Sequence, residues 1–440
     1  MKYDKFFELA KNAGITDAEL YISESSDLSF GLFHGEVTSY ENNNAKSFVA
    51  RGIVNGRFGS ASCDVWDSKR AEYLVNEIKS NALVTENDDP AIIFAGSPKY
   101  KKVSTYNKEL ENVSFDEKLT KLLELEREIK NGDAKVTEVA EVEYSEKFEA
   151  TTILNSKGLK LTQKANYFVA FGVAVASDGS QVKSDYDLYL GNDFNKFDPK
   201  ALAKKIVSKT VAQLGGEAPK SANYKAILAP SVVTSFLRTL VSYASSEEVQ
   251  RKSSLFIGKL GKKVASSKIT VEDKPLEKTV FARSFDDEGV ATYNKPIIKS
   301  GVLEGYLYNL KTAAKENVSS TGNGYRRGDA MGVSSSFLYL KPGKKSQEEL
   351  FALVGDGVYI TQVSGLHAGL NAQSGDFSLQ SSGFLIKDGK LDRGLDIITV
   401  SGNILKLFED VKEVGSDIEV SPSGVACSSL FVKKLTVSGK

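Results

Sequence analysis

The side chains best suited to bind a metal or to move a proton are few in this sequence. Only two histidines occur, His34 and His367, and they lie far apart in the chain. A zinc site built from several histidines of one chain is therefore excluded. A mixed site could combine His367 with Cys427 and the acidic run Asp286 to Glu288. The competing interpretation is that Cys427 packs as a small apolar residue, His367 lies in a loop, and the acidic run is a solvated turn ending at Gly289.

A glycine-rich loop followed by two arginines could bind an anion. In the segment Thr321 to Gly328, main-chain N–H groups and Arg326 or Arg327 could approach a carboxylate or a phosphate. The segment lacks the Lys-Ser/Thr pair of a P-loop, and a flexible loop made soluble by arginines explains the pattern equally well. The stretch Gly365 to Gly383 is also rich in glycine, serine and asparagine, which suits close approach by a linear peptide.

Charge and cysteine content limit the possible partners. Lys plus Arg and Asp plus Glu both number 57, which gives a formal net charge of zero over 440 residues. No overall field favours nucleic acid or an anionic membrane, so we expect no direct nucleic-acid contact. Two cysteines, Cys63 and Cys427, make no disulfide framework, which predicts a cytoplasmic protein. The longest apolar run, Tyr167 to Ala176, is too short to cross a bilayer, so we expect no membrane segment.

Strand patterns dominate the chain, and helical patterns interrupt them irregularly. This predicts an α+β fold of largely antiparallel sheets with flanking helices, made of an N-terminal α/β unit and a strand-rich C-terminal domain. We place the domains at 1–105, 106–220 and 221–440. Asn55-Gly56 predicts a tight hairpin, and capping boxes begin at Ser114 and Ser346. The strands expected in the first unit are Glu19 to Ser23, Leu28 to Phe33, Glu36 to Tyr40, Ser47 to Val54 and Arg57 to Ser62.

The segment 231–261 carries the longest clean helical pattern. Ser231 is the expected N-cap after Pro230, and a second short helix is expected to end near Gly261. A helix buried in a large domain is a common position for metal ligands, so its residues matter for function. The apolar residues that define its buried face are Val232, Val233, Phe236, Leu237, Leu240, Val241 and Ala244.

Short motifs rich in glycine and polar residues are spread along the C-terminal half. They are Phe285 to Val290, Gly301 to Tyr306, Thr321 to Gly324, Ser374 to Ser378, Ser382 to Phe384 and Val400 to Asn403. The run Phe33 to Val37 and the hairpin to Gly59 add an N-terminal pair. Together, over nearly the full length, these segments resemble the TldD/PmbA family, which includes zinc-dependent peptidases and carries the label of DNA gyrase modulators.

In the catalytic branch of that family, the helix matching Val232 to Val249 carries His-Glu-x-x-x-His. Its imidazoles bind zinc, and its glutamate acts as a general base on bound water. This chain has no histidine from Gly35 through Leu366, and Cys427 is similar to the C-terminal cysteine of the PmbA (TldE) branch. The resemblance therefore assigns this chain no catalytic residue and no metal ligand. The positions near the absent motif are Leu237, Arg238, Ser242 and Tyr243.

The resemblance implies a PmbA/TldE-like subunit that is non-catalytic or weakly catalytic. It would bind no cofactor itself and would assemble, as a homo- or heterodimer or a larger assembly, with a TldD-like catalytic partner that holds the zinc. The substrate would be an unfolded peptide, held in extended form against a strand edge. The residues we predict to contact that peptide are Asn323, Arg326, Arg327, His367 and Asp376.

Two other functions stay open at this stage. One is a hydrolase active on its own, using His367 with the acidic run, or a homo-oligomeric peptidase with an improvised metal site. The other is a peptide-binding or scaffold homodimer that modulates another enzyme, as the family label suggests.

Overall fold

The computed structural model describes residues 3–85, 89–328 and 330–440. In the first half of the chain, five helices and six long strands alternate in groups rather than one by one. They are α1 (Asp4–Asn12), β1 (Ala18–Phe33), β2 (Glu36–Val54), β3 (Arg57–Cys63), α2 (Ser68–Val84), α3 (Lys108–Glu111), α4 (Phe115–Lys130), β4 (Val136–Asn155), β5 (Lys160–Ser177), β6 (Val182–Gly191) and α5 (Pro199–Ala212).

One six-stranded antiparallel sheet organises this half. Its strand order is β3-β2-β1-β4-β5-β6, so β1 lies between β2 and β4. The pairing of β1 with β4 runs from Glu19 opposite Asn155 to Leu32 opposite Val142. The segments 1–105 and 106–220 therefore contribute strands to the same sheet, whose hydrogen bonds cross the boundary between them.

Each of β1 and β2 is one long strand where the sequence predicted two short ones. The polar residues between the predicted pieces stay extended because the two strands pair with each other, and β1 also pairs with β4, along that stretch. The turn between β2 and β3 has φ of 51° at Asn55 and 78° at Gly56, which confirms the predicted hairpin.

The two faces of the sheet have different neighbours. Leu20 and Ile22 of β1 pack in an apolar cluster with α1 and α2, and Phe30 and Leu32 pack in a second cluster with α4 and α5. Successive side chains of a strand point to opposite faces. Glu19 therefore points away from the helices, toward the C-terminal domain.

The C-terminal domain is built from shorter strands and helices. They are β7 (Ala222–Leu228), α6 (Pro230–Ser242), α7 (Ser246–Gln250), β8 (Val271–Asp273), β9 (Lys295–Lys299), β10 (Val302–Leu303), α8 (Leu310–Lys315), β11 (Gly324–Arg327), β12 (Ala330–Val333), β13 (Leu338–Leu340), α9 (Gln347–Val354), β14 (Gly357–Ser364), α10 (Leu366–Gly369), β15 (Asp376–Lys387), β16 (Lys390–Asn403), α11 (Ile404–Glu409), β17 (Val411–Val414), β18 (Glu419–Ser421), β19 (Val425–Cys427) and β20 (Leu430–Ser438).

These strands form two six-stranded sheets and a hairpin. One sheet has the order β16-β15-β14-β7-β20-β17, and an additional pairing of β16 with β20 closes it on itself. The other has the order β10-β9-β8-β13-β19-β18, and β11 pairs with β12. Most pairs are antiparallel; β14 with β7 and β13 with β19 are parallel. The predicted α+β class with largely antiparallel sheets is confirmed.

Helix α6 lies in the shared core of these two sheets. Phe236, Leu237 and Leu240 are at most 1% exposed and belong to the largest apolar cluster of the domain. Burying a side chain of this size stabilises the fold by about 1.5–3 kcal/mol. The helix is thus held by its apolar face, as its spacing predicts.

The ends of α6 differ from the prediction. The N-cap is Ala229 rather than Ser231, because Pro230 takes the first helical position, and the hydroxyl of Ser231 donates to the main-chain oxygen of Thr361 at 2.9 Å. The helix ends at Ser242, and α7 ends at Gln250, so the rest of the segment up to Gly261 is not helical. Both predicted capping boxes, at Ser114 and Ser346, are confirmed.

A helix that crosses a membrane needs about 20 consecutive apolar residues. No helix within the described ranges meets that requirement.

Gly59 tests how closely α2 packs on the first sheet. A Cβ at this position would lie 1.8 Å from the main-chain oxygen of Ile78 and 2.8 Å from the nitrogen of Ala82. We expect Gly59→Ala to lower the free energy of unfolding by roughly 1–3 kcal/mol, because α2 must move away from β3. Gly305→Ala is the control, since a Cβ there meets nothing within 4 Å. Equal thermal midpoints for the two variants would contradict this packing.

Candidate functional site

The positions near the absent metal motif lie on two different sides of α6. Leu237 is fully buried in the core, whereas Arg238 and Ser242 are exposed. A guanidinium nitrogen of Arg238, Nη1, donates to the main-chain oxygen of Ser423 at 3.3 Å. The hydroxyl of Ser242 donates to the main-chain oxygen of Thr239 at 2.8 Å. These side chains therefore serve packing and hydrogen bonding to main-chain oxygens.

Cys427 lies against the start of α6. Its sulfur is fully buried, 3.2 Å from the main-chain oxygen of Pro230 and 3.3 Å from the hydroxyl of Thr234. Burial raises the pKa of the Cys427 thiol to about 12. At neutral pH this residue is a protonated thiol that donates to a carbonyl, and it packs as a small apolar side chain.

The groups around α6 do not fit a zinc ion. Zinc in proteins is bound by thiolate, imidazole or carboxylate groups. Here the thiol stays protonated, and its hydrogen-bond partners are the main-chain oxygen of Pro230 and the hydroxyl of Thr234. Across the described residues, no group of three or more His, Cys, Asp or Glu side chains is arranged to hold a metal. The mixed site considered from the sequence, with His367, Cys427 and the acidic run, is therefore not formed.

A depression of about 520 Å³ lies between α10 and the start of β15. Asp376 and Phe377 line it, and the Phe377 ring lies 4.9 Å from the ring of Phe236 on α6. His367 is exposed on α10. The amide of Asn403 donates to Asp376 at 2.9 Å, and this hydrogen bond lowers the pKa of the Asp376 carboxyl. The depression thus presents a carboxylate close to the central helix.

The other predicted peptide contacts lie on or beside β11. Asn323 is 1% exposed, and its amide donates to Asp273 at 2.7 Å and to the main-chain oxygen of Ser334 at 2.9 Å. Arg326 is also buried, whereas Arg327 is exposed. Two of the three side chains thus already bind partners within the chain, and peptide contact by any of the five residues stays a prediction.

Arg326 belongs to a buried charge network between the first sheet and the C-terminal domain. Its Nη2 donates to Oε1 of Glu19 on β1 at 3.1 Å. Glu19 also accepts two hydrogen bonds from Arg51 on β2, at 2.7 and 3.3 Å. The remaining guanidinium nitrogens of Arg326 find no acceptor among the described residues, and the group lies 4.5 Å from the centre of the Tyr21 ring.

Asp287 connects the same network to the acidic run. Its carboxylate accepts from the hydroxyl of Tyr21 at 3.1 Å, from the main-chain nitrogen of Arg326 at 2.8 Å, and from the guanidinium of Arg283. Burial alone would raise its pKa, but Arg283 and these hydrogen bonds outweigh burial and keep the pKa of Asp287 below its ordinary value. The carboxylate stays ionised inside the interface.

The acidic run is not the solvated turn that the sequence suggested. Asp286, Asp287 and Glu288 are 1%, 4% and 3% exposed. Asp286 accepts from the main-chain nitrogens of Glu288, Val290 and Gly324, and Glu288 accepts from that of Leu310. Three acidic side chains can be buried here because main-chain donors and arginines surround them.

Glu19, Tyr21, Arg51 and Arg283 were missed from the sequence. A charged residue in a half-buried strand is expected to face water. A signal was nonetheless present, because Glu19 and Arg51 are opposite charges on the strands joined through the β1–β2 turn, and the structure places them directly opposite each other. Nothing local indicates that residues of the distant C-terminal domain, such as Arg326, cover them.

Three family models match consecutive parts of this chain. They are described as PmbA/TldA metallopeptidase domain 1, central domain and C-terminal domain, and they match residues 18–82, 108–214 and 221–439. The matched parts are the first hairpins, the remainder of the first sheet with its helices, and the domain around α6. The chain therefore belongs to the PmbA/TldD family of metallopeptidases.

Similar proteins agree with this assignment. A metalloprotease PmbA homolog of Buchnera aphidicola is 27% identical over 65% of this chain, and the match spans 62% of that relative. A Thermotoga maritima protein suggested to modulate a DNA gyrase has a structure with a TM-score of 0.93, 29% identity and 99% coverage of both chains. The structure of TldE from Thermococcus kodakarensis has a TM-score of 0.92 at 22% identity, and the match covers both chains completely. At this identity the likeness shows a shared fold only.

Arg326 tests the buried network against its exposed neighbour on the same strand. We expect Arg326→Met to lower the free energy of unfolding by about 3 kcal/mol or more, because Glu19 loses one of its two buried cationic partners. Arg327→Met, at an exposed position, should change it by less than about 0.5 kcal/mol. Urea unfolding of both variants measures the difference. Equal losses of unfolding free energy in the two variants would contradict the expected contribution of the Arg326–Glu19 contact to stability.

Asp286 and Glu288 make stability depend on pH. Burial and the neighbouring Glu288 raise the pKa of Asp286 from its ordinary value of 3.8 to about 7. Between about pH 4 and pH 7 the folded chain keeps a proton that the unfolded chain releases, so the free energy of unfolding falls as pH rises. In Glu288→Gln the pKa of Asp286 drops. The decrease in the free energy of unfolding as pH rises should then be smaller, by about 1.4 kcal/mol for each unit of pKa lost.

Urea unfolding at several pH values between 5 and 8 measures this effect. Glu304→Gln, at an exposed acid, is the control. If the profile of Glu288→Gln stays parallel to those of the wild type and the control, the coupling of Asp286 to Glu288 is wrong.

Proposed function

We propose that this chain is the non-catalytic or weakly catalytic subunit of a cytoplasmic PmbA/TldD-type metallopeptidase that acts on unstructured peptides. A TldD-like partner chain would hold the zinc and perform the hydrolysis. One observation carries this proposal. The chain has the family fold, but the positions of α6 near the expected metal motif are occupied by Leu237, Arg238 and Ser242. None of these three side chains can replace an imidazole.

The chemistry of α6 supports a division of roles between two chains. Hydrolysis by a zinc peptidase needs a metal-bound water and a general base beside it. The side chains here form no such pair, and Cys427 keeps its proton in a buried position. The helix still fills the centre of the domain, so it can preserve the shape of the family fold while the partner supplies the reaction.

Peptide binding is the role we assign to this chain within the assembly. The depression beside α10 offers the Asp376 carboxylate and an apolar wall at Phe377, with exposed His367 nearby. These groups suit an extended peptide, whose main-chain N–H groups need acceptors and whose side chains need apolar contact. Arg327 is a further accessible contact, whereas Asn323 and Arg326 could reach a peptide only if their present partners were released.

A scaffold homodimer is the main alternative. Its connection to a DNA-acting enzyme would rest on contact with protein rather than DNA, because the chain has zero net charge. Mixing the chain with a TldD-like partner separates this homodimer from the proposed subunit.

The test compares the purified full chain, a TldD-like partner from the same source, and their mixture. We expect the chain alone to retain little zinc by elemental analysis and to leave an unfolded peptide uncleaved. The mixture should elute as one larger complex and cleave the peptide in a chelator-sensitive manner. Near-stoichiometric zinc with chelator-sensitive cleavage by the chain alone would overturn the proposal. A stable homodimer that ignores the partner would favour the scaffold.

A further inference from the structure

The buried acids between the first sheet and the C-terminal domain outnumber the arginines that face them. Four carboxyl groups meet there, each at most 4% exposed, and they belong to Glu19, Asp286, Asp287 and Glu288. Three guanidinium groups interact with them, and they belong to Arg51, Arg283 and Arg326. If all seven groups of this interface cluster were ionised, one negative charge would stay uncompensated. Burying such a charge is costly, so the closed interface favours the retention of one proton.

The three arginines bind two of the four acids. Glu19 accepts hydrogen bonds from Arg51 and Arg326, and Asp287 accepts one from Arg283. Among the described residues, the donors to Asp286 and Glu288 are main-chain nitrogens. The retained proton therefore belongs to Asp286 and Glu288, which have no arginine of their own.

Asp286 and Glu288 lie close to each other, on one side of Gly324. A Cβ at Gly324 would lie 3.0 Å from Oδ2 of Asp286 and 2.7 Å from Oε2 of Glu288. Burial raises the pKa of both carboxyl groups, and the charge of Glu288 raises the pKa of Asp286 further. Two acids this close titrate as a pair, so one proton serves both.

The other titratable groups at this interface leave the charge count unchanged. The hydroxyl of Tyr21 donates to Asp287, and burial raises the pKa of Tyr21 to about 12. The hydroxyl of Tyr100 donates to the main-chain oxygen of Gly289 at 2.8 Å, so this phenol is neutral as well. Beside the cluster, the charges of Asp273 and Lys295 cancel in an ion pair of 3.0 Å.

Arg326 acts against the closed interface. Its Nη2 binds Glu19, but its Nε and Nη1 are buried and find no acceptor among the described residues. Buried donors without acceptors disfavour the closed state, because water satisfies them once the two surfaces separate. The retained proton and the unsatisfied guanidinium nitrogens therefore have opposite effects on the same contact.

We propose that this interface opens locally, by separation of segment 284–292 and β11 from β1 and β2, and that opening releases the proton shared by Asp286 and Glu288. Docking of the two parts is then tighter at acidic pH than at neutral pH. Each part stays folded when the interface opens, which distinguishes this opening from complete unfolding.

The pH range follows from the two states. In the open state both carboxyl groups contact water and lose their protons above about pH 4. The closed cluster keeps one proton up to neutral pH, because the pKa of Asp286 is raised to about 7. Between about pH 5 and pH 7 the equilibrium constant for opening should therefore rise about tenfold per pH unit, and above pH 7 it should level off.

Hydrogen exchange of the full chain, measured by mass spectrometry between about pH 5 and pH 8, tests the proposal. The reporters are the main-chain amides that donate to the acidic run, those of Glu288, Val290, Gly324 and Arg326. After correction for the intrinsic pH dependence of exchange, we expect their protection to fall about tenfold per pH unit up to about pH 7 and to stay constant above it. Strand β5, which is paired on both sides, should keep a higher protection throughout.

Glu288→Gln tests the charge count. It leaves three acids facing three arginines, so the closed cluster is neutral without an extra proton. We expect the protection of the reporters in this variant to change by less than about threefold between pH 5 and pH 7. Glu304→Gln, which removes an exposed acid, is the control and should keep the wild-type slope.

Three results would overturn the proposal. One is a protection of the reporters equal to that of β5 at every pH, because the interface would then open only on complete unfolding. The others are a wild-type protection that is constant between pH 5 and pH 7, and an unchanged slope in Glu288→Gln. If Glu288→Gln failed to fold, the wild-type comparison between the reporters and β5 would still decide. The experiment uses this chain alone, so its failure would leave the partner-dependent peptidase test untouched.

Discussion

The contact between Glu19 and two arginines is the constraint on which the arrangement of this protein depends. Arg51 belongs to the same sheet as Glu19, but Arg326 comes from the C-terminal domain. Moving each charge out of water costs several kcal/mol, and partners recover that cost only in one geometry. The network therefore contributes mainly by fixing one orientation between the first sheet and the domain around α6. Any other docking would leave buried charges without partners.

Asp287 extends this constraint into the acidic run. Tyr21 of β1, the main chain of β11 and Arg283 all converge on its carboxylate. The side chains of β1 alternate between the two faces of the sheet, and this alternation has two consequences. One set of its side chains packs on helices, and the other set, Glu19 and Tyr21, carries the polar contact with the C-terminal domain. A slip of one residue in β1 would exchange these two faces and disrupt both.

Helix α6 shows how packing can determine one face of a helix and leave the other face free of that constraint. Its buried face holds two sheets together, so the sequence must keep apolar residues at those positions whatever the exposed face carries. The exposed face is freer to change, and here it has hydroxyls and Arg238. Packing determines the role of Cys427 in the same way. Its burial against Pro230 makes it part of the packing, and the same burial keeps its proton in place.

The sequence by itself determined the features that depend on near neighbours. The hairpin at Asn55-Gly56, the capping boxes at Ser114 and Ser346, the apolar face of α6 and the α+β class all follow from local backbone preference and side-chain spacing. Only the tertiary structure decided that the acidic run is buried, because its hydrogen-bond donors come from residues such as Arg326 and from main chain brought near by folding. It also decided that the pairing of β16 with β20 closes one C-terminal sheet on itself, and that β1 pairs with β4 across the expected domain boundary. The physical reason is the same in each case. Burial of charge and pairing of strand edges depend on groups that are distant in sequence, as are Glu19 and Arg326, which lie 307 positions apart.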